Sequence, residues 1–366
     1  MDPKKTTQPK TFIPWQGKVG HRAQLGGIET SVVDNGPGKG TRIAWIDTGT
    51  GLRYKVLVDR GMDISEAFFG GYSLAWISHV GTIAPQPLAS GLDWLGTFGG
   101  GLLTTCGLSH VGGPEQDDFG SRGLHGRVSN LSAEVVSIIQ PDPITGSKEM
   151  SISGIITEST VFGPHLFLKR TIKGRWGEAK IVIIDEVVNR SNQAQPHMLL
   201  YHINFGWPLV DEGAKIIWKG EWKPRDPSSK QRTFNEAYDF KTCPAPRDEH
   251  RGNVEDVAFI DVKADAAGKC TAGICNEALG LGLKLSFNKD QLPWLTNWQH
   301  WGENEYVTAL EPGTHPPIGQ SKARQDGNLD FLAPGETKRY ELELEVLHQK
   351  DQLSELLAIN QSTTIN

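Results

Sequence analysis

Met198-Leu199-Leu200-Tyr201-His202-Ile203-Asn204-Phe205-Gly206-Trp207 reads as a β-strand whose two faces differ in kind. Alternate side chains of a strand point to opposite sides. Leu199, Tyr201, Ile203, Phe205 and Trp207 therefore form a continuous apolar surface, while Met198, Leu200, His202, Asn204 and Gly206 form a second face that turns polar at His202. An imidazole beside an amide, backed by a fully apolar face, suits the floor of a polar cleft on a rigid sheet. A core histidine whose ring nitrogens are satisfied by neighbours is the other reading.

Outward from this stretch the same pattern recurs. The 42 glycines and 21 prolines punctuate short runs rich in Val, Ile, Leu and Thr, as expected of many strands joined by turns. Such runs include 41–47, 53–59, 133–139, 149–158, 166–173, 180–188, 281–287, 306–311 and 338–346. The fold class is all-β, a large antiparallel β-sandwich. Residues 1–10, rich in Lys, Thr, Gln and Pro, read as a disordered tail. Residues 11–366 read as a single domain that ends in a short helix over Asp351 to Ile359. The charged, weakly periodic segment from Lys223 to Val254 reads as a surface excursion within it.

Composition narrows the function. Hydrophobic residues are 37% and charged residues 22% of the chain, with no apolar run of the roughly 18 residues that could span a bilayer. The start, Met1-Asp2-Pro3-Lys4-Lys5, lacks the apolar core of a secretory signal, so a cytoplasmic location and no membrane partner are expected. Cys270 and Cys275 are too far apart for a zinc knuckle, and no Cys/His pair flanks them. A net charge of -6 without a basic cluster argues against nucleic acid and fits a small-molecule partner. Phe98-Gly99-Gly100-Gly101-Leu102 matches neither a dinucleotide fingerprint nor a phosphate loop, so no nucleotide and no other cofactor is expected.

Four further stretches carry candidate chemistry. Tyr306 to Glu311 is an apolar strand ending in a carboxylate, whose direction Pro312 restrains before Gly313 turns the chain away. It is either a poised group or a solvated strand end. Trp294-Leu295-Thr296-Asn297-Trp298-Gln299-His300-Trp301 mixes indoles, which suit the C–H face of a pyranose, with Gln299 and His300, which suit its hydroxyls. Core packing is the alternative for each indole. Leu124-His125-Gly126 sets a histidine between glycines where a ligand can approach the backbone. Arg60 and Asp63 follow an apolar strand, where they either grip hydroxyls or form an ordinary ion pair.

Together these motifs resemble the galactose mutarotase, or aldose 1-epimerase, superfamily, with particular likeness to a bacterial branch of epimerase-like proteins. Leu124-His125-Gly126, His202-Ile203-Asn204-Phe205-Gly206 and Leu310-Glu311-Pro312 occur in the family's chain order, and the likeness runs from about residue 25 to residue 348. The resemblance implies a mutarotase-type supersandwich and a carbohydrate-active isomerase that interconverts aldose anomers by acid–base ring opening. It implies His202 as the acid on the ring oxygen, Glu311 as the base and His125 as a sugar ligand, without a metal. The imidazole and carboxylate are expected to converge on opposite sides of one bound ring. Asn204, Arg60, Asp63, Trp298, Gln299 and His300 complete the expected sugar-binding set.

Two departures stand out. The family's Asn-Arg segment before the Leu-His-Gly loop is replaced here by Gly99 to Thr105, leaving Arg60 or Arg122 as substitutes. The family's sugar-gripping aspartate has no evident counterpart, so galactose is not specified. An epimerase or lyase acting on a keto-sugar, with or without a metal on His125, His202 and Glu311, and a carbohydrate-binding protein without turnover, stay open. A homodimer also stays open.

Overall fold

The computed structural model describes residues 14–87, 90–225, 233–234 and 239–361. The tail expected over residues 1–10 lies outside them, as does part of the segment from Lys223 to Val254. The all-β expectation holds, and every sheet is antiparallel. A five-stranded meander (Gly27–Val32, Arg42–Asp47, Leu52–Leu57, Asp63–Phe69, Tyr72–Ser73) precedes two larger sheets.

The eight-stranded sheet runs in the order Lys215–Ile217, Lys269–Asn276, Leu281–Asn288, Thr337–Leu347, Lys180–Asn189, His165–Arg175, Glu149–Ser159, Ala133–Ile139. The seven-stranded sheet centres on Gln195–Phe205, which pairs with Glu305–Gly313 along one edge and with Thr104–Leu108 and Asp330–Leu332 along the other. Trp294–Gly302, Asp256–Val262 and Gly220–Pro224 extend it outward from Glu305–Gly313. The helix Lys350–Gln361 packs Leu353 and Leu356 against Ile217, Cys275 and Leu347 at the edge of the eight-stranded sheet. Among the described residues no helix is long and apolar enough to cross a membrane.

The main core lies between the sheets. Lys180–Asn189 alternates half-buried and buried residues, so it presents Ile181, Ile183 and Val187 inward and leaves its other face wetter. Gln195–Phe205 instead has nine consecutive buried residues, from His197 to Phe205. Leu199, Tyr201, Ile203 and Phe205 join the main core, whereas Met198 and Leu200 join a smaller cluster with Trp94, Cys106 and Val111 on the opposite side. This strand is therefore covered twice, by the sandwich core and by loops that build a second layer above the sheet. Burying each of these large aliphatic side chains contributes roughly 1.5–3 kcal/mol. Trp207 departs from the expected apolar face. The strand ends at Phe205, and Trp207 is 67% exposed.

A charged junction joins the three sheets. Arg170, fully buried, donates through Nε and Nη2 to Asp185 (2.9 and 2.6 Å) and through Nη1 to Asp63 and the Gly61 carbonyl (2.9 Å each). Asp63 also accepts from the Thr105 hydroxyl (2.6 Å) and amide (3.0 Å), and Asp185 accepts from the Tyr201 hydroxyl (2.8 Å). Burial opposes the guanidinium charge, but the two carboxylates outweigh it and raise its pKa. Arg170→Leu leaves both carboxylates buried without their cation, and urea unfolding should show a loss of about 3–5 kcal/mol.

Candidate active site

The register of the central sheet brings two distant residues together. It is constant from Leu200↔Gly313 to Ile203↔Leu310, which sets His202 opposite Glu311 on the same face. His202 also pairs with Thr104, and Glu311 with Thr296. Thr104, His202, Glu311 and Thr296 thus form a row across four adjacent strands. His202 Nε2 lies 3.3 Å from Glu311 Oε1. The two groups stand side by side on the floor of the second layer, rather than on opposite sides of a space that would hold a ring.

Both are almost sequestered, at 6% and 3% exposure. Burial pushes the His202 pKa down to about 3, against a smaller opposing pull from the Asn204 amide. Burial and the charge of Glu255 push the Glu311 carboxyl well above the usual carboxylate range, and Arg225 draws it part of the way back. Both shifts favour the uncharged forms of the two groups. Asn204 donates to the Gly101 and His202 carbonyls (2.9 and 3.1 Å), while its Oδ1 and His202 Nδ1 are buried without a hydrogen bond.

Aromatic rings surround His202. Phe98, Trp298, His125 and Trp94 have ring centroids 5.2, 5.5, 6.4 and 6.5 Å from it, and Trp76 bridges Phe98 and Trp298 at 5.9 and 6.0 Å. His125 reaches this enclosure because its backbone is left-handed, with φ 57°. That conformation costs roughly 1–2 kcal/mol for a residue with a Cβ. Two hydrogen bonds hold it: the Gly107 amide donates to the His125 carbonyl (3.0 Å), and the His125 amide donates to Gly112 (2.9 Å). A Cβ on Gly126 would fall 2.4 Å from the Gly107 carbonyl, so this close loop crossing requires glycine. Burial lowers the His125 pKa to about 3, and His202 adds to the shift.

The remaining expected residues divide by strand phase. Trp298 and His300 share the face of Thr296, and Trp298 stands beside His202. His300 lies at its far end, where Nδ1 donates to the Val254 carbonyl (2.8 Å) and Nε2 is 3.3 Å from Glu305. Gln299 belongs to the opposite phase and is spent inside the protein, bonded to Phe240, Asn297 and Trp301. Arg60 and Asp63 line a small cavity beside Thr104, with their polar groups bonded within the protein. Arg60 donates to the carbonyls of Ser129 (2.5 Å), Thr97 (2.9 Å) and Ile83 (3.0 Å), and Asp63 belongs to the Arg170 junction. Arg122, the other substitute arginine, pairs with Glu115 (2.7 Å) and Asp117 (2.6 Å).

Sequence reasoning missed Arg225 and Glu255. Glu255 accepts from the Trp298 indole N–H (2.6 Å) and from Arg225 (2.6 Å), fixing an indole beside the pair. Arg225 sits in the charged segment read as a surface excursion and Glu255 directly follows it, and local sequence gave no signal of their meeting. Phe98 and Trp94 were legible only as neighbours of the glycine run. No group of three or more His, Cys, Asp or Glu among the described residues is placed to hold a metal ion.

A family model described as a domain of unknown function, DUF4432, matches residues 38–346. The chain belongs to the DUF4432 family. Among solved structures this DUF4432 protein is similar to a candidate aldose 1-epimerase from Klebsiella pneumoniae subsp. pneumoniae, with a TM-score of 0.80, 24% identity, and coverage of 94% of this chain and 91% of that one. It is also similar to a galactose mutarotase-like protein from Clostridium acetobutylicum, with a TM-score of 0.60, 15% identity, and coverage of 88% and 98%. A galactose 1-epimerase from Lactobacillus acidophilus superposes with a TM-score of 0.54 at 13% identity, over 87% of this chain and 98% of that one. These likenesses establish a galactose mutarotase-like sandwich. No curated protein matches the sequence.

The raised Glu311 carboxyl makes stability depend on pH. Below the unfolded-state value both states hold the proton. Above it the unfolded chain ionises while the folded chain does not, so stability is lost as pH rises towards the folded-state value. Glu311→Gln removes this loss: thermal unfolding should find it more stable than the parent near about pH 8, with the advantage shrinking towards about pH 4. In an imidazole NMR titration, the His202 and His125 rings should keep their neutral-form shifts down to about pH 5, and a transition between about pH 6 and 7 for either would contradict the burial described.

Proposed function

We propose that this protein interconverts the anomers of an aldose, with His202 and Glu311 moving the two protons that ring opening requires. The observation that carries this reading is the 3.3 Å contact between His202 Nε2 and Glu311 Oε1, enclosed by Trp76, Trp94, Phe98 and Trp298. The ring oxygen and the anomeric hydroxyl sit on one carbon, closer together than these two side-chain atoms. A pyranose lying edge-on above the pair can therefore meet both at once, with its C–H face against an indole.

Glu311 takes the proton of the anomeric hydroxyl. The C1–ring-oxygen bond breaks with its electron pair going to that oxygen, which receives a proton from His202, and C1 becomes a carbonyl. Rotation about C1–C2 presents the other carbonyl face, and the same two proton transfers run backwards as the ring recloses. Transfer of the carboxyl proton from Glu311 to His202 sets up the carboxylate and imidazolium needed at the start. Proton counts before and after a turnover are equal, so the pair needs no external proton source. Positioned proton transfer of this kind contributes on the order of 10²–10⁴-fold.

His125 is proposed as a sugar ligand, because its Nδ1 is buried without a hydrogen-bond partner within the same aromatic enclosure. Arg225 is better placed than Arg60 or Arg122 to stand in for the family's arginine, since its charge acts on both Glu311 and His125.

NMR exchange spectroscopy across a panel of pentoses, hexoses, deoxy sugars and keto-sugars should detect accelerated anomer exchange of at least one aldose. Glu311→Gln and His202→Asn should each slow it by at least about a hundredfold while circular dichroism stays native. Full activity in both variants, or no exchange of any sugar by the parent, would overturn the assignment. His125→Ala should act mainly by weakening substrate affinity.

A further inference from the structure

Trp207 is the most exposed of the eleven tryptophans. It lies just beyond the histidine strand and lines an open cavity of about 610 Å³ together with Phe68, Tyr72 and Leu279. Tyr72 is also exposed, at 41%. Leaving two large aromatic rings in water forgoes the burial that stabilises the other indoles of this protein. The cavity is separate from the aromatic enclosure around His202 and shares none of its residues.

The polar lining is one-sided. Asp211 and Glu212 contribute two exposed carboxylates, and neither has an ion-pair partner among the described residues. Among the described residues no Lys, Arg or His lines the cavity. Asn276 is already committed, since its amide N–H donates to the carbonyls of Pro208 (3.1 Å) and Leu209 (3.4 Å) and its carbonyl accepts from the Leu279 amide (2.9 Å). The Ser73 hydroxyl donates to the Ala75 carbonyl (3.0 Å). A sugar needs donors and acceptors in comparable number, and here acceptors carrying full negative charge dominate. Ring faces and carboxylates together favour a cation, because the quadrupole of an indole or phenol attracts positive charge over its face.

We propose that this cavity is a second ligand site, which takes the ammonium group of a small organic cation against Trp207 and Tyr72, with Asp211 and Glu212 balancing its charge. The site does not depend on what the central cleft does. Its volume suits a small molecule.

The test titrates the full chain with tetramethylammonium chloride, followed by tryptophan fluorescence and by ligand NMR line broadening. Sodium chloride at equal ionic strength and a neutral aldose serve as parallel arms. Saturable binding of the ammonium ion that a saturating aldose does not displace is expected, weakened at least about tenfold by Trp207→Ala and by the double variant Asp211→Asn/Glu212→Gln, with anomer exchange unchanged in both. The double variant alters only exposed side chains, so it stays informative if Trp207→Ala disturbs the fold. No saturation by the ammonium ion, undiminished binding in the double variant, or displacement of the ammonium ion by the aldose would each overturn the proposal.

Discussion

One buried guanidinium ties the three larger sheets of this protein together. Arg170 rises from the eight-stranded sheet, meets Asp185 on the neighbouring strand and reaches Asp63 of the meander, while Thr105 and Tyr201 bring the central sheet into the same network. Taking a charge out of water costs several kcal/mol, offset only when geometry and partners are complete. Here three guanidinium nitrogens each find an oxygen at 2.9 Å or less, and the two carboxylates receive further hydrogen bonds. Such an arrangement fits one register. A slip of one residue would turn Tyr201 away from Asp185 and would exchange the two faces of the strand, carrying His202 into the core.

The same strand therefore explains the unusual state of the candidate site. Tyr201 faces the ionic junction and His202 faces the aromatic enclosure, so the position of each is coupled to that of the other. Above the sheet, burial lowers the affinity of the imidazole for protons and raises that of the carboxyl, so both shifts favour uncharged groups. A polar pair so deep in an apolar layer is costly to keep. Its retention beside orphaned atoms on Asn204 and His125 is the kind of local inconsistency on which the proposed role of this pair rests.

Much of this was legible in the sequence because the side-chain period of a strand is rigid. Applied to residues 198–205, alternation separated Leu199, Tyr201, Ile203 and Phe205 from Met198, Leu200, His202 and Asn204, and the structure keeps that division. The same rule run two residues too far misplaced Trp207, where the chain has already left the sheet. Along residues 294–301 the same alternation sends Gln299 inward and sets Trp298 and His300 on the face of Thr296. Arg60 and Asp63 looked like turn residues because their partners, Ser129, Thr97 and Arg170, lie far along the chain. The meeting of Arg225 with Glu255 has the same character, a long-range pairing with no local trace.

The row of Thr104, His202, Glu311 and Thr296 has a consequence for how this protein comes into being. Its members are supplied by four strands drawn from both halves of the chain, and the last of them in sequence, Glu311, is inserted between two that are already neighbours of other strands. Closing such distant segments is slow and all of a piece. During synthesis the proposed site is thus incomplete until nearly all of the chain has been made, and a fragment released early would carry the histidine without the carboxylate.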